Sequence, residues 1–308
     1  MPLTTDASRA PSTERAGAVP ERTTPARRLS VFLNTHARAR LALLLTVPLT
    51  WLVLVYVVAL AALLVTALWT VDSFTGEITQ TWTLDNIITV LTGALYQTVT
   101  VRTIAVAVLV TLIDIVVALP IAFFMAKVAS PRLQRILVIA VVMPLWASYL
   151  VKAYAWRSVL SEGGVADWAT GGNSPGFGLP ATVLTLSYLW LPYVILPIYA
   201  GLERVPNSLL EASSDLGAST VTTLRLVVLP LLWPAIIAAS IFSFCLSLGD
   251  YITVNIVGGA NQLLGNLVYT NVGAANNLPL AAAIALVPIV IIFVYLGVVR
   301  RTGALENL

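Results

Sequence analysis

The chain has 308 residues, of which 58% are hydrophobic and 10% are charged, with a mean hydropathy of +0.91. Soluble domains carry roughly 25% charged residues, so a soluble enzyme and a disordered chain are both excluded and a polytopic membrane protein is expected. The net charge of +3 does not point to nucleic acid, because the positions of the basic residues give it another meaning.

Residues 1–40 hold four prolines, many Ser and Thr, and seven arginines. They show no apolar periodicity and predict a disordered basic tail ahead of a membrane domain over 41–308. Apolar runs follow at 41–68, 103–126, 136–160, 179–202, 226–248 and 278–299. The first is too long for the roughly 7–15 residue core of a signal peptide. Each approaches or exceeds the roughly 20 helical residues that cross a bilayer. Only helices suit such runs, since lipid offers backbone groups no partner. The expected fold class is therefore an all-α membrane protein with six transmembrane helices.

Fourteen of the 17 basic residues fall before span one, between spans two and three, between four and five, or after six. The alternate segments at 69–98, 161–177 and 249–277 contain no Lys or Arg. The positive-inside rule then predicts both termini in the cytoplasm. Arg102, Lys152 and Arg157 lie toward outer span ends and are read as snorkelling. Residues 251–277 hold no charge but seven Asn or Gln and several glycines. They are read as an outer loop with room for a re-entrant or half-inserted helix.

Cys245 is the only cysteine, which excludes an internal disulfide and a multi-cysteine metal site. His36, the only histidine, lies in the tail. No catalytic constellation, metal site or cofactor is expected. The only two lysines, Lys127 and Lys152, do not sit in a P-loop, so the chain does not hydrolyse ATP.

The loop between spans four and five runs from Glu203 to Pro230. Ser208 and Glu211 have the spacing of a capping box. Leu209, Leu210, Ala212, Ser213 and Leu216 predict one apolar stripe on a short helix. Gly217 suits the left-handed residue after its end, and Thr220 can begin the next helix. By local physics alone this is a capped connecting helix. The longer spacing adds to that: Glu211-Ala212, then Gly217, then Val227-x-Leu229-Pro230, resembles the coupling signature of the membrane subunits of binding-protein-dependent ABC importers. Ser213 replaces the family's second Ala, and Val227 its Ile. The resemblance covers roughly residues 41–305. It implies a cytoplasmic coupling helix, with Glu211, Ala212, Asp215, Leu216, Gly217 and Ala218 meeting an ATPase subunit. It further implies these partners: ATPase subunits, a second permease subunit (a paralogue), an extracytoplasmic substrate-binding protein and membrane lipid, with no nucleic acid. The expected location is the cell membrane of a prokaryote.

Within that family, the stretches 118–127, 143–156 and 246–251, with Gly258, Gly259 and Asn261, resemble the spermidine/putrescine branch. Permeases for other organic cations, opines, thiamine or ferric iron share this texture. The expected function is a permease subunit of a polyamine importer, and an ATP-independent secondary transporter is the rival from another class. Polyamines suit carboxylates and aromatic faces. Asp114 lies 12 residues past Arg102, about 18 Å deeper along a helix. An Asp at mid-membrane costs roughly 2.5–3.5 kcal/mol, which the fourteen Leu, Ile, Phe and Val residues of 103–126 offset at about 0.3–0.6 each. It is either a counter-charge along the path or one half of a structural pair, with Lys152 or with a hydroxyl on a neighbouring helix. Asp250 with Tyr251, and Lys152, Tyr154 and Trp156 on span three, complete the translocation candidates.

Overall fold

The computed structural model describes residues 37–72 and 74–301. The expected tail falls outside the described residues except at its end, where the backbone of 37–40 is already helical. The described chain divides into two units, one ending at Leu60 and one beginning at Ala61. The first unit is helical: α1 (Ala37–Leu52) and a π turn (Val53–Val57) lead into α2 (Val58–Thr66). Its apolar segment carries exposed Leu, Val, Trp and Tyr side chains along its length, the state of a helix whose solvent is lipid.

After the end of α2, the second unit forms a two-stranded ribbon, β1 (Thr70–Val71) antiparallel to β2 (Ile78–Thr79), in which Thr70 faces Thr79 and Val71 faces Ile78. Asp72 closes its turn by accepting the N–H groups of Phe74 and Thr75 at 2.8 and 2.9 Å. Those N–H groups, Thr75 first, hold its carboxyl below the usual carboxylate range. Then come α3 (Asp85–Thr92), α4 (Ala94–Phe123) with a π turn at Phe124–Val128, α5 (Pro131–Trp146), α6 (Tyr149–Leu160) and α7 (Val165–Thr170). They are followed by α8 (Leu179–Arg204), α9 (Asn207–Asp215), α10 (Thr220–Thr223) and a π turn at Leu224–Val228. The chain closes with α11 (Leu229–Leu248), α12 (Ile252–Val257), α13 (Leu264–Val272) and α14 (Leu278–Arg301).

Among the described residues, five helical segments are long and apolar enough to cross a membrane: Leu44–Thr66, Ala94–Val128, Leu179–Arg204, Thr220–Leu248 and Leu278–Arg301. The expected continuous third span is broken. Pro131–Trp146 and Tyr149–Thr170 meet at 96°, and only together have the length and composition of a span. Pro144 explains the break: it cannot donate to the previous turn and its ring crowds that turn. The helix stops two residues later with Ala147 and Ser148 extended. Pro192, Pro197, Pro234 and Pro288 stay inside unbroken helices. Pro230 follows the π turn, whose wider ring accommodates the N–H that proline lacks.

The core sits where α4, α8 and α11 pack together, the tightest helix contacts in the chain. Ala118 and Ala122 of α4 and Met125 of the π turn after it meet Val194, Ile198 and Leu202 of α8 and Leu232 and Ala239 of α11, all buried. Small residues let the backbones approach, as association between lipid-solvated helices requires. A Cβ on Gly201 would lie 2.6 Å from the Ala235 Cβ, so α8 and α11 could not pack this closely with any other residue there. The polar stretch 251–277 forms the two short helices α12 and α13. Neither can span, and they fold inward, burying Thr253, Val254, Val257, Leu264 and Asn266.

Candidate functional site: the coupling loop and two buried aspartates

The loop between α8 and α11 carries α9, a nine-residue helix with no buried residue. Its C-terminus is closed by two bonds: Gly217 N–H to Ser214 C=O at 2.8 Å and Ala218 N–H to Ser213 C=O at 3.1 Å. That pair is the Schellman arrangement. It places Gly217 at φ +75°, a region where a Cβ is strained, so glycine is the residue that fits. Ser219 then caps α10, accepting the Thr222 N–H at 3.3 Å. The other end differs from the expected capping box. Pro206 is extended and occupies the cap position, which moves Ser208 inside the first turn, where it makes no cap bond. The single apolar stripe also splits. Leu210 packs on the core and Ser213 hydrogen-bonds Thr223 at 2.8 Å, whereas Leu209 and Leu216 point outward, Leu216 being 88% exposed. Glu211, Ala212, Asp215, Leu216 and Gly217 therefore present an accessible face, with Ala218 half-buried at its edge.

The root of this loop is held from two other helices, by contacts that sequence reading had not found. Lys127 Nζ, in the π turn after α4, donates to Val205 C=O at 2.7 Å and to Asn207 Oδ1 at 3.0 Å. Gln134 of α5 donates to Tyr199 Oη at 2.6 Å and to Glu203 Oε1 at 2.9 Å. Tyr199 itself donates to Glu203 at 2.5 Å. A cleft of about 500 Å³ opens beside the loop between α8 and α11, lined by Pro197, Gly201, Arg204, Leu209, Pro230 and Pro234 among others.

Asp114, in the middle of α4, is fully buried. Ser243 of α11 donates to its Oδ2 at 2.6 Å. Its Oδ1 accepts nothing, and Ser187 of α8, the other hydroxyl beside it, is also buried without a bond. Of the partners expected for a structural pair, it is the hydroxyl that is present; Lys152 is half-buried and bonds no side chain among the described residues.

Asp250 follows α11 and is 7% exposed. Its Oδ1 accepts the Thr253 N–H at 2.9 Å, which caps the start of α12. Its Oδ2 accepts the Tyr149 hydroxyl, from the first turn of α6, and the Thr253 hydroxyl. Tyr149 stacks on Trp190 at 5.7 Å, and the partly exposed Tyr251 stacks on Tyr269 at 5.0 Å. Asn266 is buried at this corner, accepting the Leu263 N–H and donating to Tyr251 C=O and Asn255 Oδ1. Tyr149, Trp190 and Asn266 are the residues the candidate list lacked; the Asp-Tyr adjacency at 250–251 was the only local hint. Trp156 packs in a core cluster with Ala153, Leu160 and Ile256 and against the Tyr188 ring, while Tyr154 is exposed. Among the described residues no hydrogen bond or ring contact joins Asp114, Lys152, Tyr154 and Trp156 to one another or to the Asp250 corner. Arg157 lies over the Phe177 ring at 5.5 Å, and Arg102 reaches Gln262 C=O at 3.4 Å. No three His, Cys, Asp or Glu side chains gather as a metal site among the described residues.

Residues 107–302 match the family described as binding-protein-dependent transport system inner membrane component. The chain is 43% identical over 286 residues to the inner membrane ABC transporter permease protein YdcU of Escherichia coli (strain K12), covering 87% of this chain and 91% of that one. It is 30% identical over 225 residues to the spermidine/putrescine transport system permease protein PotB of Haemophilus influenzae, covering 70% and 78%. Its fold is similar to a chain of a bacterial ABC transporter that imports alginate, with a TM-score of 0.61 at 16% identity over 89% of this chain and 99% of that chain. It is similar also to a chain of the MetNI methionine ABC transporter in inward-facing form, with a TM-score of 0.55 at 18% identity over 68% and 97%. An accessible helix lies between the two long core helices and ends at Gly217. The chain belongs to the binding-protein-dependent inner membrane component family and is a multi-pass permease subunit of an ABC importer.

Proposed function

We propose that this permease is one of two transmembrane subunits of an ATP-driven polyamine importer, crossing the membrane six times with both termini in the cytoplasm. The bent pair α5 with α6–α7 serves as the third span. Lys127, Arg132, Arg135, Arg204, Arg225, Arg300 and Arg301 then lie on the cytoplasmic side, and Asp72, Glu77, Asp85, Glu162 and Asp167 outside. The accessible face of α9 is the observation that carries the coupling reading. Glu211, Ala212, Asp215, Leu216, Gly217 and Ala218 dock on the ATPase subunit and pass its closure to α8 and α11. A second permease, a paralogue, completes the path, and an extracytoplasmic binding protein delivers the cargo. Asp114, Lys152, Tyr154, Trp156, Asp250 and Tyr251 are the residues assigned to the path. The PotB relatives and the outer segments free of Lys and Arg support a polyamine cargo.

Two experiments test this. The complex, reconstituted with its ATPase subunits and binding protein, imports spermidine or putrescine only with ATP; uptake sustained without ATP overturns the importer reading. Gly217→Asp keeps the membrane fold and abolishes transport-coupled ATP hydrolysis; a mutant complex with normal substrate-stimulated hydrolysis sinks the coupling reading. Lys152, half-buried and without a carboxylate partner among the described residues, favours a second reading in which the cargo also carries an anionic group, as an opine does. Competition by an opine but not by spermidine in the binding protein selects it.

A further inference from the structure

The coupling loop is joined by the chain itself to α8 and α11 only. The third helix of the tight core, α4, ends some eighty residues earlier in sequence and has no covalent link to it. Lys127 supplies the link. Its ammonium group donates to the residues on either side of Pro206: the Val205 carbonyl, left unpaired where α8 ends, and the Asn207 side chain on the first residue of α9. A cation suits a helix C-terminus, where carbonyls without N–H partners carry negative partial charge. The π turn at Phe124–Val128, closed by Ala129 N–H to Phe124 C=O at 2.9 Å, adds one residue to the helix. Lys127 sits within that turn, so its side chain departs from the face it would hold in an uninterrupted helix. Lys127 shares with Gln134, Glu203 and Asn207 a polar recess of about 300 Å³, so its bonds form in a partly shielded setting where they are stronger than on open surface.

We propose that Lys127 is a positioning residue for energy coupling: it ties the end of α4 to the root of α9, so that displacement of α9 moves α4, α8 and α11 as one body. This rests on the reading of α9 as the coupling helix. Without the tie, α9 still pushes on α8 and α11, but α4 slips and part of each stroke is lost.

The test uses the full complex with ATPase subunits, second permease and binding protein in proteoliposomes, and reads substrate imported per ATP hydrolysed. Lys127→Met keeps the length of the side chain and loses its donors; it is expected to lower that ratio about 10-fold, within the range of coupling between sites. Lys127→Arg keeps donors and is expected to recover at least half of the wild-type ratio. Asn207→Ala, which leaves the Val205 carbonyl in place, gives an intermediate loss, and the double variant Lys127→Met with Asn207→Ala is no worse than Lys127→Met alone. A wild-type ratio in Lys127→Met overturns the proposal, as does an equal loss in Lys127→Met and Lys127→Arg. If Lys127→Met does not assemble, a wild-type ratio in Asn207→Ala overturns it instead. The coupling-helix reading fails separately: it falls if Gly217→Asp retains stimulated hydrolysis, whereas an inactive Gly217→Asp beside an unimpaired Lys127→Met removes only the role of Lys127.

Discussion

Asp114 and Asp250 are both buried in the same bundle, yet their surroundings are opposite. Asp250 has three donors, from the Thr253 backbone, the Thr253 hydroxyl and Tyr149. Whatever its part in the path, its carboxylate also holds architecture together: it starts α12 and ties the first turn of α6, just past the break, to the corner after α11. Asp114 has one hydrogen-bond donor within bonding geometry among the described residues, Ser243, with the Ser187 hydroxyl beside it. A buried polar atom without a partner costs free energy, and a fold retains one where something else uses it. Burial alone therefore does not distinguish the two acids; the number of donors does.

The contrast can be broken by substitution. Asp250→Ala leaves the Thr253 N–H at the start of α12 unpaired, at about 1–3 kcal/mol, and the Tyr149 hydroxyl with only its bond to the Thr253 hydroxyl. We expect the largest loss of thermal stability in detergent from this variant, and Asp250→Asn, which keeps an acceptor, to recover much of it. An Asp250→Ala protein as stable as the parent would end the structural assignment. Asn266→Ala removes the acceptor for Leu263 and both donor bonds at the same corner. It is expected to destabilise by about 2 kcal/mol, read by the same melting measurement, with little effect on the stability of the α4–α8–α11 core.

Asp114→Asn should behave in the opposite way. The amide oxygen still accepts from Ser243 and the side chain keeps its size, so stability should change by less than the roughly 1 kcal/mol of a lost hydrogen bond. Uptake of a cationic cargo should fall about 10-fold, the worth of one charge-assisted contact. Unchanged uptake would return Asp114 to a structural role. The smallest effect concerns Asp72, exposed on the ribbon. Its folded pKa is lowered, so its contribution is present above the unfolded value and is lost as pH falls through the folded one. Amide exchange at Phe74 and Thr75 should quicken over that acid range, while exchange in α8 stays constant.

Local patterns carried much of this. The end of α9 at Gly217 and the start of α10 at Thr220 were legible because helix termination and capping depend on a few adjacent residues. The start of α9 was not: Ser208 and Glu211 had the spacing of a cap, but Pro206 took the position, with Lys127 bonding the residues on both of its sides. The break after Pro144 was hidden because Pro192, Pro197, Pro234 and Pro288 have the same local chemistry and leave their helices whole. For 251–277 the sequence left open an outer loop or a half-inserted helix, because its Asn residues resemble those of a solvated loop, although Asn266 spends its amide inside.

The sequence alone determined that the chain lives in lipid, where its apolar runs lie, and the coupling signature in the loop that joins α8 to α11. Those features follow from composition, helix length and short spacing, which need no knowledge of distant contacts. Only the tertiary structure decided which hydroxyl meets Asp114, that Tyr149 holds Asp250, and that Lys127 reaches across to Val205 and Asn207. Each of these pairs joins residues about 80 to 130 positions apart. Hydrogen bonds depend on position to within a few tenths of an ångström, and over such separations that position is set by how the helices pack.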